Sequence, residues 1–364
     1  MNGAALHRRL GVVVVAVSAL LTCLLLGLRA ARPVLQSYLA VYVAFLSPVL
    51  GSMALLMVHR LAGNGDWGRE LRVPLLAAMR VLPLLALLLL PILLGAAWLY
   101  PWLQAVVPGD PEFARQRWYL NAPFFMLRAV LCFAAWLWLA HGLRWRLANA
   151  QGDPSPPRFA ALGLIVYLLS VSMAAVDWIM SLVPAWHSSI FGLIVAAGQL
   201  LAAAALGVWC RTGRVAVTPP PAQRRDLGSV LLVLVLAWAY LAFMDYLTVW
   251  SADLPGEIVW YLPRLRTSWR WLGVWLIVFH LLLPFAVLLS RRAKEHHLWL
   301  RGIAGLLLLA QATYALWLVL PSVRPHGFAL AWSDLLAWLG IGGLCWALFD
   351  LRLAQARSEA EATP

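Results

Sequence analysis

Residues 159–182 read FAALGLIVYLLSVSMAAVDWIMSL, an apolar run that carries a single charge, Asp177, five residues from its end. An α-helix rises 1.5 Å per residue, so roughly 20 apolar residues cross a hydrocarbon layer about 30 Å thick. The run shows no strand-like alternation, and lipid leaves no partner for an unpaired backbone group, so the segment is predicted to be a spanning helix. The same reading repeats along the chain, with spans near 10–28, 34–58, 76–100, 122–143, 159–182, 188–210, 227–250, 270–290, 299–320 and 331–350. Composition agrees: 63% hydrophobic and 12% charged residues, with a mean hydropathy of +0.82, lie far from soluble domains. The expectation is an all-α polytopic membrane protein of about ten helices, forming a single integral membrane domain over 1–364. Polar connections are expected at Gly63–Arg72, Pro108–Arg117, Gln151–Pro157, Thr212–Asp226 and Asp253–Thr267, with a short charged tail after Asp350.

The net charge of +13 does not mark a nucleic-acid binder, because the basic residues sit at span ends rather than on one face. Lys and Arg number 18 in the amino terminus, the links after the even spans and the carboxyl terminus, against 8 in the links after the odd spans. The positive-inside rule then places both termini in the cytoplasm. The first span is read as a retained helix rather than a signal peptide, since the run is long and ends at Arg29. Trp67, Trp98, Trp102, Trp118, Trp250, Trp260 and Trp269 fall near expected interfaces and suit an aromatic belt.

Cys23, Cys132, Cys210 and Cys345 are scattered singly, without the paired spacing of a metal centre, an iron–sulfur cluster or a disulfide framework. Lys294 is the lone lysine, and no phosphate loop, nucleophile elbow or paired metal-ligand histidines stands on any span. Nucleotide hydrolysis and acyl transfer therefore have little support.

Charges inside spans are costly and by default functional. Arg128, Asp177 and Asp245 fall at one expected depth, roughly 6–9 Å below the outer surface. Together they can form a neutralising cluster that binds a polar head group or carries protons; the alternative is a structural ion pair locking helices. The link Asp177 to Gly192 holds Trp178, Trp186, His187 and three serines around Pro184. It reads either as a site at the outer face or as an amphipathic turn with a tryptophan belt and Ser188 as a helix cap. His280 lies near mid-membrane, where a lone histidine is expected to hydrogen-bond a neighbouring helix. His59, Arg80, His141 and Asp350 lie toward the other side, where His59 and Arg80, with His280, are candidates for a proton path from that side and snorkelling helix ends are the alternative. Pro48, Pro83, Pro91 and Pro284 interrupt spans and imply kinks.

The run Val176-Asp177-Trp178-Ile179-Met180-Ser181-Leu182, then Pro184, Trp186 and Ser188-Ser189-Ile190-Phe191-Gly192, resembles the signature of the ActF-type quinone-binding subunit of bacterial alternative complex III. Ordered echoes run from about 45 to 295: Leu55 to Gly63 with Asp66-Trp67-Gly68, Leu90-Pro91-Ile92-Leu93-Leu94-Gly95, Tyr119 to Phe125 before Leu127-Arg128, Trp238 to Phe243, Trp250 to Glu257 before Trp260-Tyr261-Leu262, and His280 to Phe285. That family belongs with the NrfD and polysulphide-reductase membrane anchors. The resemblance implies paired four-helix bundles plus peripheral helices, in the inner membrane of a bacterium. It also implies a quinol (menaquinone or ubiquinone) as substrate, no haem or iron–sulfur cluster in this chain, and as partners an iron–sulfur protein, a multihaem c-type cytochrome and a paralogous membrane subunit. A quinol site at the outer face needs aromatic walls and a group that accepts protons, and Asp177, His187, Arg128, Asp245, Trp178 and Trp186 are of those types.

Departures accompany the resemblance. Val183 and Ala185 stand where the family pattern has an acid and a histidine around the proline, with the histidine displaced to His187, and Asp245 stands where an uncharged polar residue is expected. These departures imply that proton handling is rerouted or lost in this copy, and the resemblance itself implies that quinol turnover belongs to the paralogous subunit, with the ActF-type subunit serving mainly in assembly or proton conduction. The leading expectation is a membrane subunit of a quinol:electron-acceptor oxidoreductase of the cytochrome c type. The alternatives are a structural anchor for peripheral redox subunits and, with less support, a secondary transporter.

Overall fold

In the computed structural model, the described residues are 3–63, 65–104, 118–148, 158–213, 218–252 and 255–362. Among them every regular element is helical, and ten helices are long and apolar enough to cross a membrane. These are α1 (Leu6–Arg29), α2 (Ala31–Leu61), α3 (Asp66–Leu94), α4 (Ala122–Leu147), α5 (Arg158–Leu182), α6 (Phe191–Thr212), α7 (Pro221–Ala252), α8 (Trp269–Leu289), α9 (His297–Val323) and α10 (Trp332–Ser358). The chain is a multi-pass membrane protein.

Helices α2 to α5 pack as a closed ring of neighbours, and α6 to α9 form a second ring. The two four-helix bundles meet along α2 and α6, which are the most enclosed spans: 78% and 83% of their apolar windows are buried. Close approach there depends on Gly51, whose added Cβ would fall 1.8 Å from the Gln199 carbonyl oxygen of α6. Small residues at such a seam let backbones approach and gain dispersion contacts, the main source of helix association in lipid. Helices α1 and α10 are peripheral. They pack on each other, tied by Arg9 Nε donating to Asp350 at 2.8 Å, and α10 leans on α2 and α3.

Four sequence expectations need correction. The third span begins at Asp66 rather than near 76, because the charges of its first turns are paired: Arg69 with Asp66, Arg211 with Glu70 at 2.5 Å, and Arg72 with the Leu147 carbonyl at 2.6 Å. The seventh begins at Pro221, so Arg224, Arg225 and Asp226 lie in its opening turns rather than in a linker. Proline suits that first position, since its missing N–H has no helical acceptor there. The tail after Asp350 continues α10 as helix to Ala362. Finally, the expected polar loop Asp253–Thr267 contains a helix, Pro255–Arg266, whose buried residues include Trp260, Tyr261 and Arg264. Gln151–Pro157 and Pro108–Arg117 lie outside the described residues.

The prolines act as expected in part. Helix α3 is interrupted at Arg80–Val81, just before Pro83, and again at Leu89, just before Pro91. Pro284 follows a π-helical turn, Ile277–Leu282, that carries His280. Pro48, in contrast, sits inside the unbroken helix Ala31–Leu61.

Candidate functional site

The links after α1, α3, α5, α7 and α9 share one side of the molecule, the odd-loop face, and most of the buried charge lies within two turns of it. Arg128 on α4 and Asp177 on α5 form a two-pronged ion pair, Nε to Oδ2 at 2.7 Å and Nη2 to Oδ1 at 2.9 Å. Both are buried, with 6% and 1% of their surface exposed, which makes the pair internal to the first bundle. Arg128 also donates to the Tyr119 carbonyl at 2.9 Å, and its guanidinium carbon lies 3.9 Å from the Tyr119 ring centre. Burial and the neighbouring Asp177 raise the Tyr119 phenol to about 12. Trp178 is packed among Tyr42, Phe133 and Trp136. The cavity beside it, about 20 Å³, is at most large enough for one water.

Asp245 does not join that pair. It lies on α7, in the second bundle, and accepts hydrogen bonds from Ser188 Oγ and from the Tyr261 hydroxyl, both at 2.5 Å. The expected cluster of three thus divides: one carboxylate is neutralised by a guanidinium, and the other is held by two neutral hydroxyls. Of the two readings of this link, the one that makes Ser188 a helix cap does not hold. Helix α6 opens at Phe191 with Ile190 at its cap, while Ser188 is turned toward α7. Burial, and after it the Asp245 charge, hold the Tyr261 phenol well above the usual tyrosine range. The phenol therefore stays protonated and able to donate.

Around Asp245 the walls are aromatic. Trp186 stacks on Trp260 with ring centres 4.4 Å apart and planes 14° apart, and Trp260 meets Tyr261 edge-on at 4.8 Å. Arg264, one turn beyond Trp260, is 1% exposed. Its guanidinium carbon lies 3.4 Å from the Trp260 ring centre, and it donates to the carbonyls of Trp260 and Leu318 and to Ser322. Its Nε has no partner among the described residues, and burial pulls its pKa well below the arginine range. From Trp260 the aromatic contacts run inward through Trp317 and Tyr314 to Trp238 and His280.

His280 departs from its expectation. Its ring is fully buried 3.8 Å from that of Trp238, and among the described residues neither ring nitrogen has a hydrogen-bond partner, so none of them ties it to a neighbouring helix by a hydrogen bond. π-Helical turns of this kind recur at functional positions. His187 is exposed, next to Ser188 and apart from the Arg128–Asp177 pair. His59 bonds the Gly65 carbonyl at 2.8 Å and meets Trp67 edge-on, which closes the turn into α3. Arg80 is half-buried at the first interruption of α3. His280 is packed instead against Trp238 and Tyr314.

Tyr261 and Arg264 were not singled out from the sequence, because a 12-residue stretch with charged ends reads as a loop. Their signal was the helical spacing of Trp260, Tyr261 and Arg264 within Pro255–Arg266. A further pair went unseen. Arg324 holds Asp334 through two bonds of 2.9 and 3.0 Å and also donates to Ser37 at 2.8 Å, joining α2 and α10 at the end of α9. Among the described residues no group of three or more His, Cys, Asp or Glu is placed to hold a metal ion. No protein-family model matches the chain, and no curated protein matches it.

Proposed function

We propose that this chain is the membrane subunit of a quinol:electron-acceptor oxidoreductase of the cytochrome c type, and that Asp245, with Tyr261 and Ser188, is its proton-handling group at the outer face. The observation that carries this reading is a buried carboxylate that has no cationic partner among the described residues and is bonded by two hydroxyls beside a tryptophan stack. Oxidising a quinol releases two electrons and two protons, so the protein needs a base within hydrogen-bond reach of the ring hydroxyls. An anionic carboxylate accepts the proton, and Ser188 leads toward the surface next to exposed His187. The electrons pass to redox centres of partner subunits, of which an iron–sulfur protein and a multihaem c-type cytochrome are the candidates implied by the resemblance, together with a paralogous membrane subunit. The lipid bilayer proposed is a bacterial cytoplasmic membrane, with both termini on its cytoplasmic side.

Asp177 has a different role in this proposal. Its charge is matched by Arg128 and the space beside Trp178 admits no ring, which makes it a structural tie. Those same two features favour the alternative reading, a structural anchor that docks peripheral redox subunits without quinone turnover. Quinol:cytochrome c reductase activity of the assembled complex separates the two. Asp245→Asn is expected to lower activity at least about a hundredfold with the subunits still co-purifying, within the range of a lost general base. Unchanged activity in that variant leaves the anchor as the function.

A further inference from the structure

A cavity of about 360 Å³ lies between α2, α3, α6, α9 and α10. Its walls are apolar, including Phe45, Ala202, Trp338 and Phe349, and its rim reaches the lipid-facing surface at Leu309 and Trp346, which are 56% and 39% exposed. Such a cavity is continuous with the hydrocarbon beside it. The walls accept any apolar group, and the charge at one end selects among them.

Three helical stripes lead from the cavity to the face opposite the odd-loop face. At 3.6 residues per turn, Arg301 shares a side of α9 with Leu308 and Ala312, and Arg357 shares a side of α10 with Trp346. Leu206 of α6 is followed one turn later by Cys210. Leu206, Leu308, Ala312 and Trp346 all line the cavity. The stripes converge at their far ends, where the positive charges of both Arg301 and Arg357 bear on the Cys210 thiol. Arg301 is half-buried, with its guanidinium carbon 5.4 Å from the Trp209 ring centre, and it donates to the Gly213 carbonyl at 3.4 Å. Among the described residues no carboxylate pairs with it.

The spacing between charge and cavity matches one lipid leaflet. Along α9, Arg301 lies roughly 10 Å from Leu308 and roughly 16 Å from Ala312, and half of a 30 Å hydrocarbon core is about 15 Å. An acyl chain whose head group is held at Arg301 therefore ends in the cavity. Guanidiniums bind phosphate oxygens in pairs, and a zwitterionic head group brings an ammonium that two arginines repel.

We infer that this cavity is the tail pocket of a bound anionic phospholipid, with one acyl chain in the cavity and the head-group phosphate between Arg301 and Arg357. The site is separate from Asp245 and stands whether or not that reading holds, since its test measures lipid occupancy and not turnover.

The probe is a phosphatidylglycerol with a diazirine midway along one acyl chain, photolysed with the whole protein in phosphatidylcholine nanodiscs. A phosphatidylcholine bearing the same diazirine is its counterpart. Two arginines at about fivefold each favour the anionic probe about thirtyfold, so labelling of the cavity walls on α9 and α10 is expected to half-saturate near about 3% of the lipid. The phosphatidylcholine probe should label them only in proportion to its share. Arg301→Gln should move half-saturation of the anionic probe to about 15%. Arg292→Gln, at an exposed position in the link before α9, should leave it unchanged. Equal labelling by the two probes means an acyl-chain groove without head-group recognition and overturns the proposal. So does label spread over the lipid-facing spans without saturation at the cavity, or an effect of Arg292→Gln as large as that of Arg301→Gln. Half-saturation that Arg301→Gln leaves in place overturns it as well. The comparison of the two probes needs no variant to fold.

Discussion

Asp177 and Asp245 are both buried carboxylates near the odd-loop face, yet their neighbours set them to different tasks. A carboxylate joined twice to a guanidinium gains Coulomb energy that offsets its desolvation, and removing either partner strands the other charge. Arg128→Leu or Asp177→Leu alone is therefore expected to cost about 3–5 kcal/mol, whereas the double substitution should cost much less than the two together. Thermal unfolding of the purified protein in detergent, as a double-substitution cycle, measures this; additive losses would mean that the pair is not coupled. Among the described residues Asp245 has no such partner, and the hydroxyls of Ser188 and Tyr261 solvate it without cancelling its charge. Such a group keeps a use for a proton, which is why the proposed chemistry is placed there.

At the scale of the helix, the seam between α2 and α6 is set by backbone proximity rather than by any polar contact. Gly51→Ala places a methyl against the Gln199 carbonyl, and rigid backbone on both sides leaves little room to yield. Overpacking of this kind costs about 1–3 kcal/mol or more, and the protein is expected to lose folded yield and thermal midpoint in size-exclusion assays. Gly302→Ala on α9, where nothing lies within 4 Å, should stay within about 0.5 kcal/mol of the parent and serves as the control. Helix existence was readable from the sequence because apolar length alone decides it in lipid: ten spans were expected and ten are present among the described residues. Boundaries were less readable at Asp66, Pro221 and Pro255, where charged residues continue helices at head-group depth through pairing that hydropathy does not register. The Arg128–Asp177 pair could be anticipated from shared depth. Depth fixes one coordinate of three, however, and the rotation of α7 that turns Asp245 toward Ser188 and Tyr261 depends on packing between bundles.

For the molecule as a whole, the distribution of solvated charge decides how it sits in the bilayer. The links after even spans and the two termini carry 18 Lys and Arg against 8 on the odd-loop face. Pairing leaves that contrast in place: on the odd-loop face Arg264 is 1% exposed and Arg324 is bound twice by Asp334, and on the other side Arg9, Arg69 and Arg211 are paired with Asp350, Asp66 and Glu70. Orientation follows the basic residues that must stay on the cytoplasmic side during insertion, and internal arginines matched by protein groups weigh little in that balance. The odd-loop face, with Asp245 beneath it, is expected to lie outside. Ala252 is exposed at the odd-loop end of α7 and Ser358 is exposed near the opposite end of α10, so each accepts a reporter without disturbing a packed contact. In intact cells a membrane-impermeant maleimide should label Ala252→Cys, and Ser358→Cys should label only after lysis. The reverse pattern would put Asp245 on the cytoplasmic side. A proton released there could not reach an outward-facing electron acceptor's compartment, and the oxidoreductase geometry argued from that carboxylate would fail with it.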